Sequence, residues 1–355
     1  MEKLNRRKFL KTTLTAATVT IASPLLATTK NTNEEDYKAL VCVTLSGGAD
    51  SFNMVVPKEN LKVYNDYKDA RAHMAIEREK LRTLVQNKHG FHPNMATMQR
   101  MHNHGELAVV ANVGTLIKPV SHKQIKESKK GVGISGLPHQ LFCHDTQKEL
   151  WQKAGNKDEN WIQRVSSEFQ SVKIDSEKSF EKQLEIVARM IKHKKLNDSN
   201  RQIFFVTFDG WDTHDRTICD LKVKDSGGEL IARLDKAFGL FARDIEELGL
   251  KDKVTTFTTS EFGRTITSNN DGADHGWGGH AFVFGGAVKS GIYGKMPQIK
   301  RNSPDALINN VVVPTTSVEQ YMATLVEWLG DGRVSLQKVF PNLKNFDKNT
   351  IGFMA

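Results

Sequence analysis

Five short runs of apolar residues are spaced along the chain, and each is typical of a buried β-strand. They cover residues 39–45 (ALVCVTL), 107–112 (LAVVAN), 202–208 (QIFFVTF), 254–259 (VTTFTT) and 281–284 (AFVF). The runs are nearly continuous and rich in β-branched and aromatic residues, which favours strands that are covered on both faces. Segments with helical periodicity lie between them, most clearly 229–248, where apolar residues recur every three or four positions. This order predicts an α/β fold with a mostly parallel sheet.

Further helices are predicted where apolar positions recur at helical spacing or where a cap residue starts a run. They cover residues 91–103, 146–154, 159–172, 177–195 and 317–329. In the first, Met95, Met98 and Met101 are expected to face the core, and in the last Ser317 is the expected N-cap. Residues 80–90 are interpreted as connecting material. Neither a repeat nor a domain linker is evident, so residues 39–355 are predicted to form a single domain.

The N-terminus has the features of a targeting segment. Arg6 and Arg7 are followed by Phe9 and Leu10, and a weakly apolar stretch rich in Thr and Ala then runs over residues 12–27. This pattern resembles a twin-arginine export signal. A membrane anchor is the alternative, but the stretch is short and contains several threonines and a proline. We therefore predict a signal peptide at 1–27, a spacer at 28–38, export by the twin-arginine machinery to the periplasm or beyond, and no stable transmembrane segment.

Composition narrows the class of protein further. Hydrophobic residues make up 39% of the chain and charged residues 26%, as in soluble globular proteins. The net charge is +9, but acidic residues lie between the basic ones, which argues against a nucleic-acid partner. The three cysteines have no Cys-x-x-Cys spacing, so a disulfide framework is not expected.

Candidate chemistry gathers next to four of the predicted strands. The polar residues are Asp50 and Ser51 after the first strand; Asp209, Asp212 and His214 after 202–208; Glu261 and Arg264 after 254–259; and Asp274, His275 and His280 in the glycine-rich loop before 281–284. Because the carboxyl ends of parallel strands meet at one edge of a sheet, these side chains are expected to lie together. Carboxylates and imidazoles are common ligands of divalent cations. The pattern therefore predicts a metal site, in which Arg264 would hold a non-bridging oxygen of a bound ester.

Asp50 and a further candidate, Cys143, also have ordinary structural explanations. Asp50 follows a glycine turn and suits a cap of the next segment as well as a metal ligand. Cys143 precedes a predicted helix, where the helix dipole would lower the pKa of a thiol, but a buried cysteine followed by an Asp cap fits equally. Both alternatives stay open at the level of sequence.

Several longer motifs together resemble one family. These are LSGGADSFN, LPHQLFCHDTQKELW, GWDTH, TSEFGRT, DHGWGGHAFVFGG and SVEQYMATLVEWLG. With them the chain resembles the exported bacterial family known as the domain of unknown function "fifteen-oh-one", which looks like a branch of the alkaline phosphatase and sulfatase superfamily. The resemblance implies an alkaline-phosphatase-like three-layer sandwich, with a mostly parallel central sheet and helices on both faces. It also implies one or two metal ions (zinc, calcium or manganese) and a nucleophilic side chain.

The resemblance assigns roles to positions in this chain. The implied metal ligands are Asp50, Asp212, His214, Glu261, Asp274, His275 and His280. Asp274 is implied either as a ligand or as a residue that supports one, and Asp209 is a weaker candidate beside Asp212. Cys143 stands where the family usually has Ser, and the segment after it lacks the Pro and Arg that conversion to formylglycine requires. The nucleophile is therefore either Cys143, which is also a possible metal ligand, or another residue such as Ser51.

Two functions remain as expectations. The first is an exported metal-dependent hydrolase that cleaves phosphate or sulfate esters of small molecules or polysaccharides by in-line displacement, in the manner of two-metal enzymes. The second is a non-catalytic envelope protein that keeps the scaffold as a metal-stabilised binding or assembly module. The Cys in place of Ser, and a short segment between residues 161 and 201, motivate the second.

Overall fold

A computed structural model describes most of the chain after its N-terminal segment. The described residues are 36–86, 88–121, 124, 141, 143–153, 161–165, 168–193, 199–214, 227–270, 272–307 and 309–355. The predicted export signal, most of the spacer and Cys219 lie outside these residues, so export and the domain division stay predictions. In the described part of the chain, no helix is both long enough and apolar enough to cross a membrane.

Eleven strands and nine α-helices are formed by the described residues. The strands are β1 (Lys38–Leu45), β2 (Val55–Pro57), β3 (Arg82–Thr83), β4 (His89–Phe91), β5 (Leu107–Gly114), β6 (Gln170–Lys173), β7 (Arg201–Phe208), β8 (Val254–Thr259), β9 (Gly279–Phe284), β10 (Gly291–Tyr293) and β11 (Thr316–Ser317). The helices are α1 (Ser51–Met54), α2 (Leu61–Arg71), α3 (Ala96–Asn103), α4 (His144–Lys153), α5 (Trp161–Arg164), α6 (Phe180–Lys192), α7 (Gly227–Glu247), α8 (Val318–Gly330) and α9 (Leu336–Val339).

The central sheet has eight strands in the order β10-β5-β9-β8-β1-β7-β6, with β11 beside β5. Its pairings are parallel, except that β9 runs antiparallel to β5 and β8. In the middle of the sheet, Leu45 lies opposite Phe208, and Thr44 lies opposite Thr259. Strands β1, β7 and β8 therefore end at the same edge of the sheet, and β9 begins there because it runs the other way. This edge receives the polar segments that the sequence placed at strand ends.

Helices cover both faces of the sheet. Along β1, Val41 and Val43 pack with buried residues of α3, α6 and α7, whereas Leu40 and Cys42 pack with buried residues of α4, α5, α8 and α9. Successive strand residues point to opposite faces, so each strand contributes to both cores. The predicted α/β fold class, a three-layer sandwich around a mostly parallel sheet, is confirmed.

All five predicted strands are present, and the details of two helices need correction. Phe91 belongs to β4, which pairs with β2 and β3 in a small three-stranded sheet instead of starting a helix. Among the described residues of the predicted helix 159–172, Trp161–Arg164 is helical and Gln170–Lys173 forms edge strand β6 against β7. These short strands depend on partners distant in sequence, which local periodicity does not reveal. Ser317 caps α8 as predicted, with a capping box to Gln320.

Candidate metal centre

Four side chains converge at the edge where β1, β7 and β8 end. His144 is the first residue of α4, Asp212 and His214 follow β7, and His275 lies in the loop between β8 and β9. Ligand atoms of His144, Asp212 and His275 all lie within 4.8 Å of one another. His214 completes the group, because its Nε2 lies 2.9 Å from His275 Nε2 and 3.3 Å from Asp212 Oδ1. We call these four residues the histidine cluster.

The geometry of the histidine cluster suits a divalent cation. Two nitrogen ligands on a tetrahedral zinc ion, each about 2.0–2.1 Å from the metal, lie roughly 3.3 Å apart. In the cluster, the distance from His275 Nε2 to Asp212 Oδ1 is 3.3 Å, and that from His144 Nε2 to Asp212 Oδ2 is 3.6 Å. The donor set of three imidazoles and one carboxylate is of the type that binds such ions. The residues present therefore fit a metal ion.

Asp212 is held in its ionised form by Arg264. The guanidinium Nη2 lies 2.5 Å from Asp212 Oδ1. Partial burial acts to raise the pKa of Asp212, but the hydrogen bond and charge of Arg264, with the nearby His214 and His275, lower it below its ordinary value. A carboxylate must be ionised to bind a metal, so the contact with Arg264 keeps Asp212 in the form that can bind one.

Asp274 lies on the outer side of the cluster. Its Oδ1 is 3.4 Å from His214 Nδ1 and accepts a hydrogen bond of 2.8 Å from Asn269 Nδ2. A carboxylate beside Nδ1 favours the tautomer that leaves Nε2 free to bind a metal. The structure thus places Asp274 where it orients His214, with Nε2 facing His275.

Glu261 lies beneath the cluster and is bound mainly by the protein's own groups. Its carboxylate accepts hydrogen bonds from the backbone N–H of Gly47, at 3.0 and 2.9 Å, and of Gly48, at 3.1 Å. Lys148 Nζ lies 3.2 Å from Oε1, and His144 Nδ1 lies 3.8 Å away. In this arrangement Glu261 fixes the turn after β1 and faces the far side of His144 from Asp212.

Arg264 binds the backbone carbonyl groups of the same turn after β1. It is fully buried and donates hydrogen bonds to the carbonyl oxygens of Gly47, Gly48, Trp211 and Ala273, and to Asp212. An ester oxygen could bind this guanidinium only by displacing such bonds, which differs from the role predicted from sequence. We call Glu261 and Arg264 the buried clamp, because one takes the N–H groups and the other the C=O groups of Gly47 and Gly48.

Gly47 is required where the clamp meets the cluster. Its φ of +122° is a conformation that side chains disfavour, and a Cβ there would lie 2.3 Å from the backbone nitrogen of Asp212. The turn after β1 and the segment after β7 therefore touch backbone to backbone. This close approach fixes the position of the Asp212 backbone at the sheet edge.

Asp50 and Ser51 are buried after the same turn. Asp50 Oδ2 forms an ion pair with the fully buried Arg71, while Oδ1 has no hydrogen-bond partner among the described residues. The Ser51 hydroxyl accepts a hydrogen bond of 2.7 Å from the backbone N–H of His280. The tight cluster of ligand atoms found among the described residues includes neither of them.

His280 is also apart from the histidine cluster. Its Nδ1 accepts a hydrogen bond of 3.2 Å from the backbone N–H of Asn112, so the ring proton resides on Nε2. Nε2 is buried without a partner in the described structure, and burial lowers the pKa of His280 to about 3. A metal-binding histidine normally donates from its other ring nitrogen, which an amide donor at Nδ1 prevents.

Cys143 lies at the start of α4, beside His144. Its carbonyl oxygen accepts the first helical hydrogen bond, 2.9 Å from Gln147 N, so Cys143 is the N-cap residue. Hydrogen bonding to the Thr146 side chain, and then to its backbone, lowers the pKa of the exposed thiol. Asp209, the weaker candidate after β7, is exposed.

His144 is the one member of the histidine cluster that is not among the residues predicted from the sequence. The helix was predicted to begin at Thr146, which left His144 as a loop residue next to Cys143. Because α4 begins at His144, its ring packs 4.6 Å from His275 and 4.8 Å from Phe262, between ring centroids. The available signal was a histidine at a helix start, one residue after the candidate nucleophile.

Comparison with known proteins gives low-identity structural resemblances. The chain is similar to the lipoteichoic acid synthase LtaP from Listeria monocytogenes, with 11% identity, a TM-score of 0.43, and coverage of 88% of this chain and 76% of that one. It is similar to a protein of the alkaline phosphatase superfamily from Vibrio parahaemolyticus, with 10% identity, a TM-score of 0.37, and coverage of 83% and 66%. It is also similar to the zinc complex of the periplasmic domain of EcEptC from Escherichia coli, with 10% identity, a TM-score of 0.36, and coverage of 88% of each chain.

Sequence comparison is more specific. No curated protein matches the chain. Residues 163–330, which include Asp212, His214, His275 and the buried clamp, match the family model described as "Protein of unknown function (DUF1501)". The match confirms, over this part of the chain, the family resemblance predicted from the motifs.

Proposed function

We propose that the protein is an exported metal-dependent hydrolase of phosphate or sulfate esters, with His144, Asp212, His214 and His275 as its metal ligands. The observation that carries this proposal is that His144, Asp212 and His275 offer ligand atoms within 4.8 Å of one another at the sheet edge. His214 adjoins this group, with its Nε2 2.9 Å from His275 Nε2 and 3.3 Å from Asp212 Oδ1. Three imidazoles and one carboxylate favour zinc, because calcium takes oxygen ligands almost exclusively. When bound, such an ion supplies Lewis-acid polarisation of the ester and stabilises the charge that develops during displacement.

The cluster is open to a substrate. The exposed fractions of its side chains are 31% for His144, 46% for Asp212, 42% for His214 and 19% for His275. Such exposure suits esters on bulky molecules, including polysaccharides, as well as small aryl esters. Lys148 lies one helical turn after His144 and is 41% exposed, so it is the cation beside the cluster that an anionic ester can reach. We assign to Lys148 the anion-binding role that the sequence suggested for Arg264.

Accessibility separates the two candidate nucleophiles. Ser51 is buried, and its hydroxyl is engaged by the His280 amide, whereas Cys143 is exposed and its pKa is lowered. A thiolate at the N-cap of α4 is the stronger nucleophile. We therefore favour Cys143. Its thiolate would attack the phosphorus or sulfur atom of the ester while the ester oxygen departs and takes a proton from water to form the alcohol. A second water would then cleave the new bond to Cys143, which restores the thiolate and releases inorganic phosphate or sulfate.

The test is hydrolysis by purified, zinc-loaded protein against a panel of aryl phosphates and aryl sulfates. Asp212→Asn and His275→Ala should abolish turnover while circular dichroism stays unchanged. Asp209→Asn is the matched control, since it removes an exposed acid from the same segment outside the cluster. Full activity of Asp212→Asn would contradict the proposal, and full activity of Cys143→Ala would replace the thiol by direct attack of water.

A non-catalytic envelope protein is the second candidate. It is favoured by the internal engagement of Asp50, Glu261 and Arg264, residues of motifs that the family resemblance associates with catalysis. In that case a chelator would lower the melting temperature, but no ester of the panel would be cleaved. Turnover of any aryl ester that Asp212→Asn removes would exclude this alternative.

A further inference from the structure

A cavity of about 620 Å³ lies between α3 and α7, at the sheet edge opposite the histidine cluster. Its lining includes Val254, the first residue of β8, and Phe284, the last residue of β9. The cluster instead lies where β8 ends and β9 begins. The cavity is therefore a separate feature, and its volume is in the range of small-molecule sites, about 300–1,000 Å³.

The floor of the cavity is apolar. It is formed by buried side chains of α3, α7, β8 and β9: Met101, Phe241, Ile245, Val254 and Phe284. Leu240 stands at the rim and is 41% exposed, one of few large apolar side chains in the described structure with that exposure. A hydrocarbon chain would find continuous apolar contact along this floor.

The rim carries cations that lack acidic partners. The acids of the lining are already engaged: Asp235 accepts hydrogen bonds from the amides of Thr97 and Met98, and Glu106 and Glu246 both pair with Lys251. Exposed Arg100 and Lys236 make no ion pair with any described residue, and the Arg100 guanidinium donates a hydrogen bond of 3.4 Å to the Thr97 hydroxyl. Two uncompensated positive charges thus border an apolar pocket.

We propose that this cavity binds a single-chain amphipathic anion, with the anionic head at Arg100 and Lys236 and the alkyl chain along the floor. Charge complementarity selects the head, because the lining carries one more cation than acid: Arg100, Lys236, Arg243 and Lys251 against Glu106, Asp235 and Glu246. The floor selects the chain, and each methylene that enters it should raise the affinity about fourfold until the cavity is full. The proposal does not depend on ester hydrolysis at the histidine cluster.

Isothermal titration calorimetry of the full chain tests this assignment with four probes. Dodecanoate and dodecyl phosphate present two kinds of anionic head, dodecanol has no charge, and butyrate has a short chain. At least one dodecyl anion should bind, with dodecanol and butyrate at least tenfold weaker. The stronger of the two anions identifies a carboxylate or a phosphate as the preferred head.

Three variants locate the site. The double variant Arg100→Ala/Lys236→Ala should weaken the preferred anion at least tenfold and leave dodecanol unchanged. Ala242→Trp, which fills the lining of the cavity, should remove binding of the chain. Lys192→Ala, an exposed lysine on α6, is the control and should bind as the wild type does. The proposal is overturned if dodecanol binds as tightly as the anions, or if the double variant and Ala242→Trp both keep wild-type affinity.

Discussion

The histidine cluster and the buried clamp use charged residues in opposite ways at the same edge of the sheet. In the cluster, partly exposed side chains point at one another and leave ligand atoms available. In the clamp, Glu261 and Arg264 are buried and their polar atoms end on the backbone of Gly47 and Gly48. A buried charge is tolerated only when it is fully paired, so the two residues of the clamp serve to hold the turn after β1. Asp212 links the two, since it is part of the cluster and accepts a hydrogen bond from Arg264.

Removing Arg264 should produce the largest effect. Arg264→Ala leaves carbonyl groups of the turn without donors and Asp212 without its cation. We expect a loss of about 3–5 kcal/mol in the free energy of unfolding, measured by urea denaturation. Arg243→Ala, on the surface of α7, is the control and should change it by less than about 0.5 kcal/mol. A loss for Arg264→Ala as small as that of the control would refute the supporting role of the clamp.

Acid should destabilise the protein through two buried histidines. Burial lowers the pKa of His92 to about 4 and that of His280 to about 3, from an ordinary 6.5. Both stay neutral in the folded state, so their contribution is complete above pH 6.5 and is lost as the pH falls, because the unfolded chain then takes up protons. Together they should cost about 3 kcal/mol between pH 6.5 and pH 5.

The pH dependence is best measured against variants. In His280→Asn and His92→Asn, the side-chain oxygen can still accept the amide hydrogen bond that Nδ1 accepts. Each variant should remove about half of the acid-induced loss. The difference between variant and wild type is the informative quantity, because burial raises the pKa of Glu319 to about 7 and acts in the opposite direction. Equal slopes in wild type and variants would show that these histidines do not carry the effect.

Removing a cluster residue should weaken metal binding without unfolding the protein. We expect His275→Ala to reduce zinc affinity about 100-fold, equivalent to about 2.7 kcal/mol, because it removes one imidazole ligand of the proposed site. Competition with a zinc chelator measures it, and His104→Ala, an exposed histidine elsewhere, is the control. If His275→Ala binds zinc as the wild type does, the cluster is not the metal site.

The smallest effect is expected at the surface partner of the clamp. Lys148→Ala removes a cation that is 41% exposed, while Glu261 keeps its bonds to the glycine amides. The free energy of unfolding should fall by less than about 1 kcal/mol, as for exposed ion pairs. Urea denaturation of Lys148→Ala and Arg264→Ala, measured side by side, checks this ranking. An equal loss of unfolding free energy in both variants would show that the exposed lysine contributes as much as the buried arginine.

The contrast also explains what the sequence could reveal. Buried parallel strands appear as continuous apolar runs, so β1, β7 and β8, and the edge where they end, were predictable. Whether an acid at that edge binds a metal or supports the turn depends on partners far away in sequence. Glu261 is hydrogen-bonded to Gly47, and Asp50 forms an ion pair with Arg71. No local sequence pattern predicts either contact. His144 was not predicted as a cluster residue because the helix was expected to begin at Thr146, two residues later than α4 does.

The central claim is that Asp212 binds a metal and Glu261 does not. Its most direct test is the metal content of protein folded in the producing cell, measured by mass spectrometry for the wild type, Asp212→Asn and Glu261→Gln. We predict a stoichiometric divalent ion, zinc above all, in the wild type and in folded Glu261→Gln, and its loss from folded Asp212→Asn. A wild type without divalent metal, or an Asp212→Asn variant that retains it, would contradict the account.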